Sequence, residues 1–143
     1  MFRKMLVAFD GSEQSNKAFD TALEMDVKCS NKSATVLVVS VAQLPEPVES
    51  TLINSGSIIK GITEYYEEQF KALQERAEKK GVKISTEVVM GHPADMIVKY
   101  ADEKGCDMII MGHRGRSAIA GWLLGSVSKR VASYSPCTVI IVK

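Results

Sequence analysis

Residues 108–131 read Met-Ile-Ile-Met-Gly-His-Arg-Gly-Arg-Ser-Ala-Ile-Ala-Gly-Trp-Leu-Leu-Gly-Ser-Val-Ser-Lys-Arg-Val. Met108 to Met111 is a continuous apolar run, the pattern of a strand buried on both faces. Glycines follow at 112, 115, 121 and 125. Gly125-Ser126 then leads into a helical pattern that carries Leu124, Val127 and Val131 and stops before Pro136. A buried strand that feeds a helix through a glycine-rich turn is the unit from which parallel α/β sheets are built.

The same alternation extends in both directions. Met5 to Phe9 is an apolar run ending at Asp10-Gly11, after which Ser12 and Ser15 offer caps to a helix with Phe19, Ala22, Leu23 and Val27 on one side. Ala34 to Val41 is rich in β-branched residues and reads as a second strand. Leu44-Pro45-Glu46-Pro47 forbids regular structure, and the connection is expected to stay irregular to about Gly56. From Ser57 to Lys80 the period is helical: Ile62, Tyr66, Phe70, Leu73 and Ala77 share a face, and Gly81 is the stop. Lys83 to Val89 alternates polar and apolar, as a strand nearer an edge does. Pro93 opens a third helix with Ala94, Ile97, Val98 and Ala101 as its buried stripe, ending at Lys104-Gly105. Thr138 to Val142 closes the chain as a fifth strand. Alternating strands and helices predict one α/β domain over residues 1–143, a parallel sheet covered on both faces through right-handed crossovers.

Composition narrows the function classes. The chain has 143 residues, 45% hydrophobic and 24% charged, with a formal net charge of +1. That balance exerts no bulk pull toward nucleic acid or membrane, and neither is expected as a partner. The three cysteines, Cys29, Cys106 and Cys137, are widely spaced and odd in number; they read as reduced, mostly packed thiols rather than a disulfide framework or zinc site. Arg3 and Lys4 before an apolar run mimic the start of a signal peptide, but Asp10 interrupts it and no small-residue cleavage site follows. The expected location is the cytoplasm.

Ligands of open parallel sheets bind beyond the carboxyl ends of the strands, where strand order reverses. Two such ends stand out: Asp10-Gly11-Ser12 after the first strand, and the glycine-rich stretch after the fourth. Glycines let a backbone approach an anion closely, and a helix N-terminus at Gly125-Ser126 adds unpaired amides and a positive dipole end. On physics alone two readings stand side by side: a phosphate cradle, and glycines that only make turns. Arg114 and Arg116 likewise read either as phosphate partners or as a solvated basic loop. The stretch is not a P-loop, because no Gly-Lys-Ser/Thr follows, and G-x-G-x-x-G is missing after the first strand.

The spacing Gly112, two residues, Gly115, nine residues, Gly125, Ser126 resembles the ATP-binding motif of the universal stress protein family. Val7 to Ser12, Gly91 to Ile97 and Pro136 to Val139 resemble other segments of that family, so the likeness spans nearly the whole chain. It implies a five-stranded parallel sheet ordered 3-2-1-4-5, Rossmann-like, with helices on both faces. It places Asp10 near a ribose and the backbone of Val41 against adenine. Met111 and Gly112 would lie at the nucleotide's edge, and Gly115, Gly125, Ser126 and Val127 around the phosphates. It implies ATP with Mg²⁺ as the ligand, and a homodimer joined through Thr138 to Val142, an apolar edge strand. Gly121-Trp122 departs from the usual spacer, and Trp122 reads as a hydrophobic anchor or partner contact before an adenine stacker.

No catalytic constellation is visible. His92 and His113, the only two histidines, sit on separate loops without metal-ligand spacing. The serines lack a neighbouring base, and no G-x-S-x-G elbow occurs. The end of the fourth strand carries no carboxylate, which argues against a phosphate-accepting receiver domain. Three functions follow: an ATP-binding stress-response regulator; a protein-interaction module of the same fold with an empty or AMP-filled site; and a slow ATPase.

Overall fold

Each apolar run forms a strand and each amphipathic run a helix. A computed structural model describes residues 2–29, 34–43, 55–114 and 124–143. Within them the order is β1 (Lys4–Ala8), α1 (Glu13–Lys28), β2 (Thr35–Ala42), α2 (Ser55–Lys79), β3 (Ile84–Met90), α3 (Pro93–Glu103), β4 (Met108–Gly112), α4 (Ser126–Tyr134) and β5 (Thr138–Val142). The five strands make one sheet ordered β3-β2-β1-β4-β5, and every pairing is parallel. In register, Leu6 lies between Leu37 of β2 and Ile109 of β4.

The two faces of the sheet build two cores. Met5, Val7, Val38 and Ile110 point to one side, where Phe19, Ala22 and Leu23 of α1 meet Tyr66, Phe70, Leu73 and Ala77 of α2. Leu6, Val39, Ile109 and Met111 point to the other, beneath Ala94, Ile97 and Ala101 of α3 and Val131 of α4. This is why β1 and β4 lack a polar alternation: both of their faces are covered. β3 lies at an edge and keeps its alternating pattern.

Several details differ from the sequence reading. α2 begins at Ser55, so Gly56 lies in its first turn rather than in the connection. Leu124 precedes α4, whose N-cap is Gly125. Val27 is 52% exposed, not on the buried stripe. It lies in the last turn of α1. Cys29, one residue beyond that turn, is exposed, while Cys106 is buried and Cys137 half-buried. Of the two candidate caps only Ser12 acts as one: its hydroxyl accepts the Ser15 amide at 3.1 Å, and the Ser15 hydroxyl donates back to the Ser12 carbonyl.

Candidate functional site

From β1 the chain steps outward to β2 and β3, then returns to the far side of β1 to form β4. The connections leaving the carboxyl ends of β1 and β4 therefore diverge, and the two strand ends border one crevice.

The β1 end is held firmly. The Phe9 amide donates to the Val39 carbonyl at 2.9 Å, and the buried Ser40 hydroxyl donates to the Phe9 carbonyl at 2.6 Å. Asp10 Oδ1 accepts the Ser12 amide at 2.9 Å. The intervening Gly11 has φ +85°, a left-handed conformation that side chains resist. The turn thus fixes the Asp10 carboxylate at the head of α1.

The β4 end is organised around His113. Its amide donates to the Val142 carbonyl at 2.9 Å, and Nδ1 lies 3.3 Å from the same oxygen. Nε2 accepts Arg114 Nε–H at 3.0 Å. A neutral ring protonated at Nδ1 satisfies both side-chain contacts. The His113 carbonyl then takes two donors from the start of α4: the Gly125 amide at 2.7 Å and the Ser128 hydroxyl at 2.8 Å. This clamp returns the chain to within one peptide of where it left the strand.

The two described motif glycines serve different ends. A Cβ on Gly112 would meet Gln14 Cβ at 2.6 Å and the Gln14 carbonyl carbon at 3.0 Å, so packing against α1 excludes any side chain there. Gly125 has ordinary extended dihedrals, φ −71° and ψ 163°. A Cβ there would make contacts no closer than 3.4 Å. Neither its own dihedrals nor packing against the described residues demands glycine at 125. Among the described residues no side chain caps α4, and its first turn holds no acidic residue, so its leading amides and dipole have no negative partner within those residues.

Of the sequence-predicted site residues, Asp10, Val41, Met111, Gly112, Gly125, Ser126 and Val127 all fall at the carboxyl ends of β1, β2 and β4 or at the start of α4. Met111 is buried, and Val41 and Val127 pack partly against the same α3/α4 core; what these three offer a ligand is chiefly main chain. Gly115, Arg116 and Trp122 lie outside the described residues. Lys129 and Arg130 are exposed, and Arg130 Nε donates to Asp95 Oδ1 at 3.0 Å.

One wall of the site was missed by the sequence reading. A cavity of about 500 Å³ opens between Val41, Ala42 and Gln43 at the end of β2 and Ile58, Ile62 and Tyr65 of α2. The Tyr65 hydroxyl lies 3.7 Å from where a Cβ on Gly11 would stand, so the cavity adjoins the Asp10 turn. Tyr65 and Tyr66 are consecutive, and two neighbours on a helix cannot both face the core. Tyr66 carries the buried stripe, and that alone marks Tyr65 as an aromatic left outside.

Among the described residues, the groups whose titration the fold perturbs lie away from this crevice. Burial pushes the Cys106 thiol up to about 11, and raises Tyr100 on α3, with the nearby Glu87 carboxylate adding to the rise. Burial also raises Asp26 in the last turns of α1. All three sit toward the amino ends of the strands or the carboxyl ends of the helices, the opposite edge of the sheet. Among the described residues no group of three His, Cys, Asp or Glu side chains could hold a metal ion, and no helix is long and apolar enough to cross a membrane.

The sequence model of the universal stress protein family matches residues 1–143. Universal stress protein YxiE of Bacillus subtilis is 36% identical over 155 aligned positions that cover 100% of both chains. The solved structure of hypothetical protein MJ0577 superimposes with a TM-score of 0.89 at 28% identity, covering 100% of this chain and 96% of that one. A universal stress protein crystallised in complex with cAMP is 31% identical, with a TM-score of 0.68 and coverage of 99% and 97%.

Proposed function

The chain belongs to the universal stress protein family, and from that premise we propose that it is an ATP-binding regulator of a stress response, which holds its nucleotide rather than turning it over quickly. The observation that carries this reading is the start of α4. Among the described residues nothing requires glycine at 125, which stands at the head of a helix with no side-chain cap and no acidic residue in its first turn. A close approach by phosphate oxygens supplies the missing reason.

In this reading Gly125, Ser126 and Val127 hold the phosphates with Gly115 and Arg116. Asp10 meets the ribose, the Val41 backbone meets adenine, and Met111 and Gly112 form the edge. Mg²⁺ arrives with ATP, keeps most of its waters and leans on the phosphates. The protein works in the cytoplasm, as one domain per chain, and pairs with a second copy through β5.

The cAMP complex of a relative supports a second reading, in which the resident ligand is an adenosine monophosphate. Thermal unfolding with Mg-ATP, AMP and cAMP separates the two. A ligand at a hundred times its dissociation constant stabilises by about 2.7 kcal/mol. ATP is expected to raise the midpoint most, and Gly125→Val to abolish the rise while leaving the ligand-free midpoint in place. No shift with millimolar Mg-ATP on folded protein rules the proposal out; a larger shift with AMP or cAMP selects the second reading.

A further inference from the structure

Tyr65 is 44% exposed, a large aromatic surface left in water on the wall of the β2–α2 cavity. Its position is not loose. Its ring meets Tyr66 edge to face, centroids 5.3 Å apart at 73°. Tyr66 stacks on Phe70 at 6.5 Å and 30°, and Phe70 packs against Phe9 at 6.5 Å. Phe9 immediately precedes Asp10, so a continuous aromatic chain ties the Tyr65 ring to the strand end that bears the candidate ribose carboxylate.

We propose that Tyr65 is a ligand-contacting residue whose ring covers the nucleoside half of the bound nucleotide, between the Asp10 turn and the cavity at the end of β2. The inference rests on the nucleotide-binding reading above and adds α2 to it as a third wall. The cavity, at about 500 Å³, falls in the range of small-ligand sites. The wall offers a flat aromatic face of the kind on which bases and sugars stack, and the ring is held in place before any ligand arrives. The phosphates, at the start of α4, lie on the far side of β1 from this cavity, as the two halves of one nucleotide spanning the crevice require.

Isothermal titration of the full chain with ATP and with ADP tests this. Stacking on an aromatic side chain is worth about 1–3 kcal/mol per base, a change of roughly five- to a hundred-and-fifty-fold in affinity. Tyr65→Ala and Tyr65→Leu are expected to weaken both nucleotides by one common factor in that range, because both carry the same nucleoside. Tyr65→Phe is expected to bind within a few-fold of wild type. The ligand-free unfolding midpoint of Tyr65→Leu, which keeps apolar bulk, reports any loss from folding. Wild-type binding with unchanged affinity in Tyr65→Ala and Tyr65→Leu overturns the inference and leaves the nucleotide reading intact. A loss that differs between ATP and ADP, or an equal loss in Tyr65→Phe and Tyr65→Ala, also overturns the ring contact. Absence of ATP binding by the wild type overturns both.

Discussion

Gly112 at the end of β4 lies against Gln14 in the first turn of α1 so closely that a Cβ on it would stand 2.6 Å from Gln14 Cβ. The Gln14 backbone is part of the contact, at 3.0 Å to its carbonyl carbon, so a rotamer change cannot relieve the clash. This contact joins the head of α1 to β4, the two elements on either side of the crevice. Gly112→Ala is therefore expected to lower stability by about 1–3 kcal/mol, the usual effect of overpacking. Urea unfolding without nucleotide measures it. Gly125→Ala in the same assay should stay within about 0.5 kcal/mol of wild type. Equal stability of the two variants would show that Gly112 does not have this packing role.

Ser128 is 2% exposed and its hydroxyl donates to the His113 carbonyl at 2.8 Å. Ser128→Ala removes one of the two donors that bring α4 back to the end of β4. A loss of about 1 kcal/mol in unfolding free energy is expected, as for a typical buried hydrogen bond. Because the same bond sets where the first amides of α4 stand, ATP affinity should fall too. Stability lost with affinity unchanged would separate the clamp from the site.

Asp26 lies near the carboxyl end of α1, and its buried Oδ1 has no hydrogen-bond partner. Burial raises its pKa above 3.8. A carboxyl whose pKa is raised on folding favours the native state only while protonated. Its contribution is fully present below pH 3.8 and is lost as pH rises through the higher native value. The charge that forms there also faces the negative end of the helix dipole. Asp26→Ala is accordingly expected to stabilise the protein at pH 7, by about 1 kcal/mol on the scale of an unsatisfied buried group, with the gain shrinking toward pH 3. Denaturant midpoints across that range check the sign.

The outer strand β5 carries Val139, Ile140, Ile141 and Val142, each only half-buried, at an edge of the sheet. If a second copy covers them, as proposed, the chain sediments at twice its 15.6 kDa. Val139→Lys with Ile141→Lys, charges that block edge pairing, should return it to the mass of one chain; because both side chains also pack partly against the α3/α4 core, the unfolding midpoint of the variant reports whether it still folds. A wild type that stays at one chain's mass at tens of micromolar removes the dimer from the proposal.

Much of this molecule was legible before its structure. Hydrophobic period is a local property, so the runs Met5 to Phe9, Ala34 to Val41 and Met108 to Met111 located their strands to within a residue. The stripe from Ile62 to Ala77 located α2 and its buried face in the same way. Where packing geometry rather than pattern decided, the reading failed. Val27 has the right spacing to be buried but is exposed in the last turn of α1. The order 3-2-1-4-5 came from family resemblance, since alternation alone leaves many strand orders open.

The candidate site divides along the same line. By itself the sequence determined the alternating α/β pattern, the glycines at 112 and 125 and the hydroxyl after the second, because residue type and spacing are written along the chain. Only the tertiary structure decided what each of them faces. It set Gly112 against Gln14 and left Gly125 without a clash against the described residues. It made the His113 carbonyl the anchor for Ser128, and brought Tyr65 of α2 beside Gly11. Those relationships join residues far apart in sequence, and no local period encodes which distant atom will stand opposite. Crossing the sheet from β3 to β4 on the far side of β1 is what brings them together.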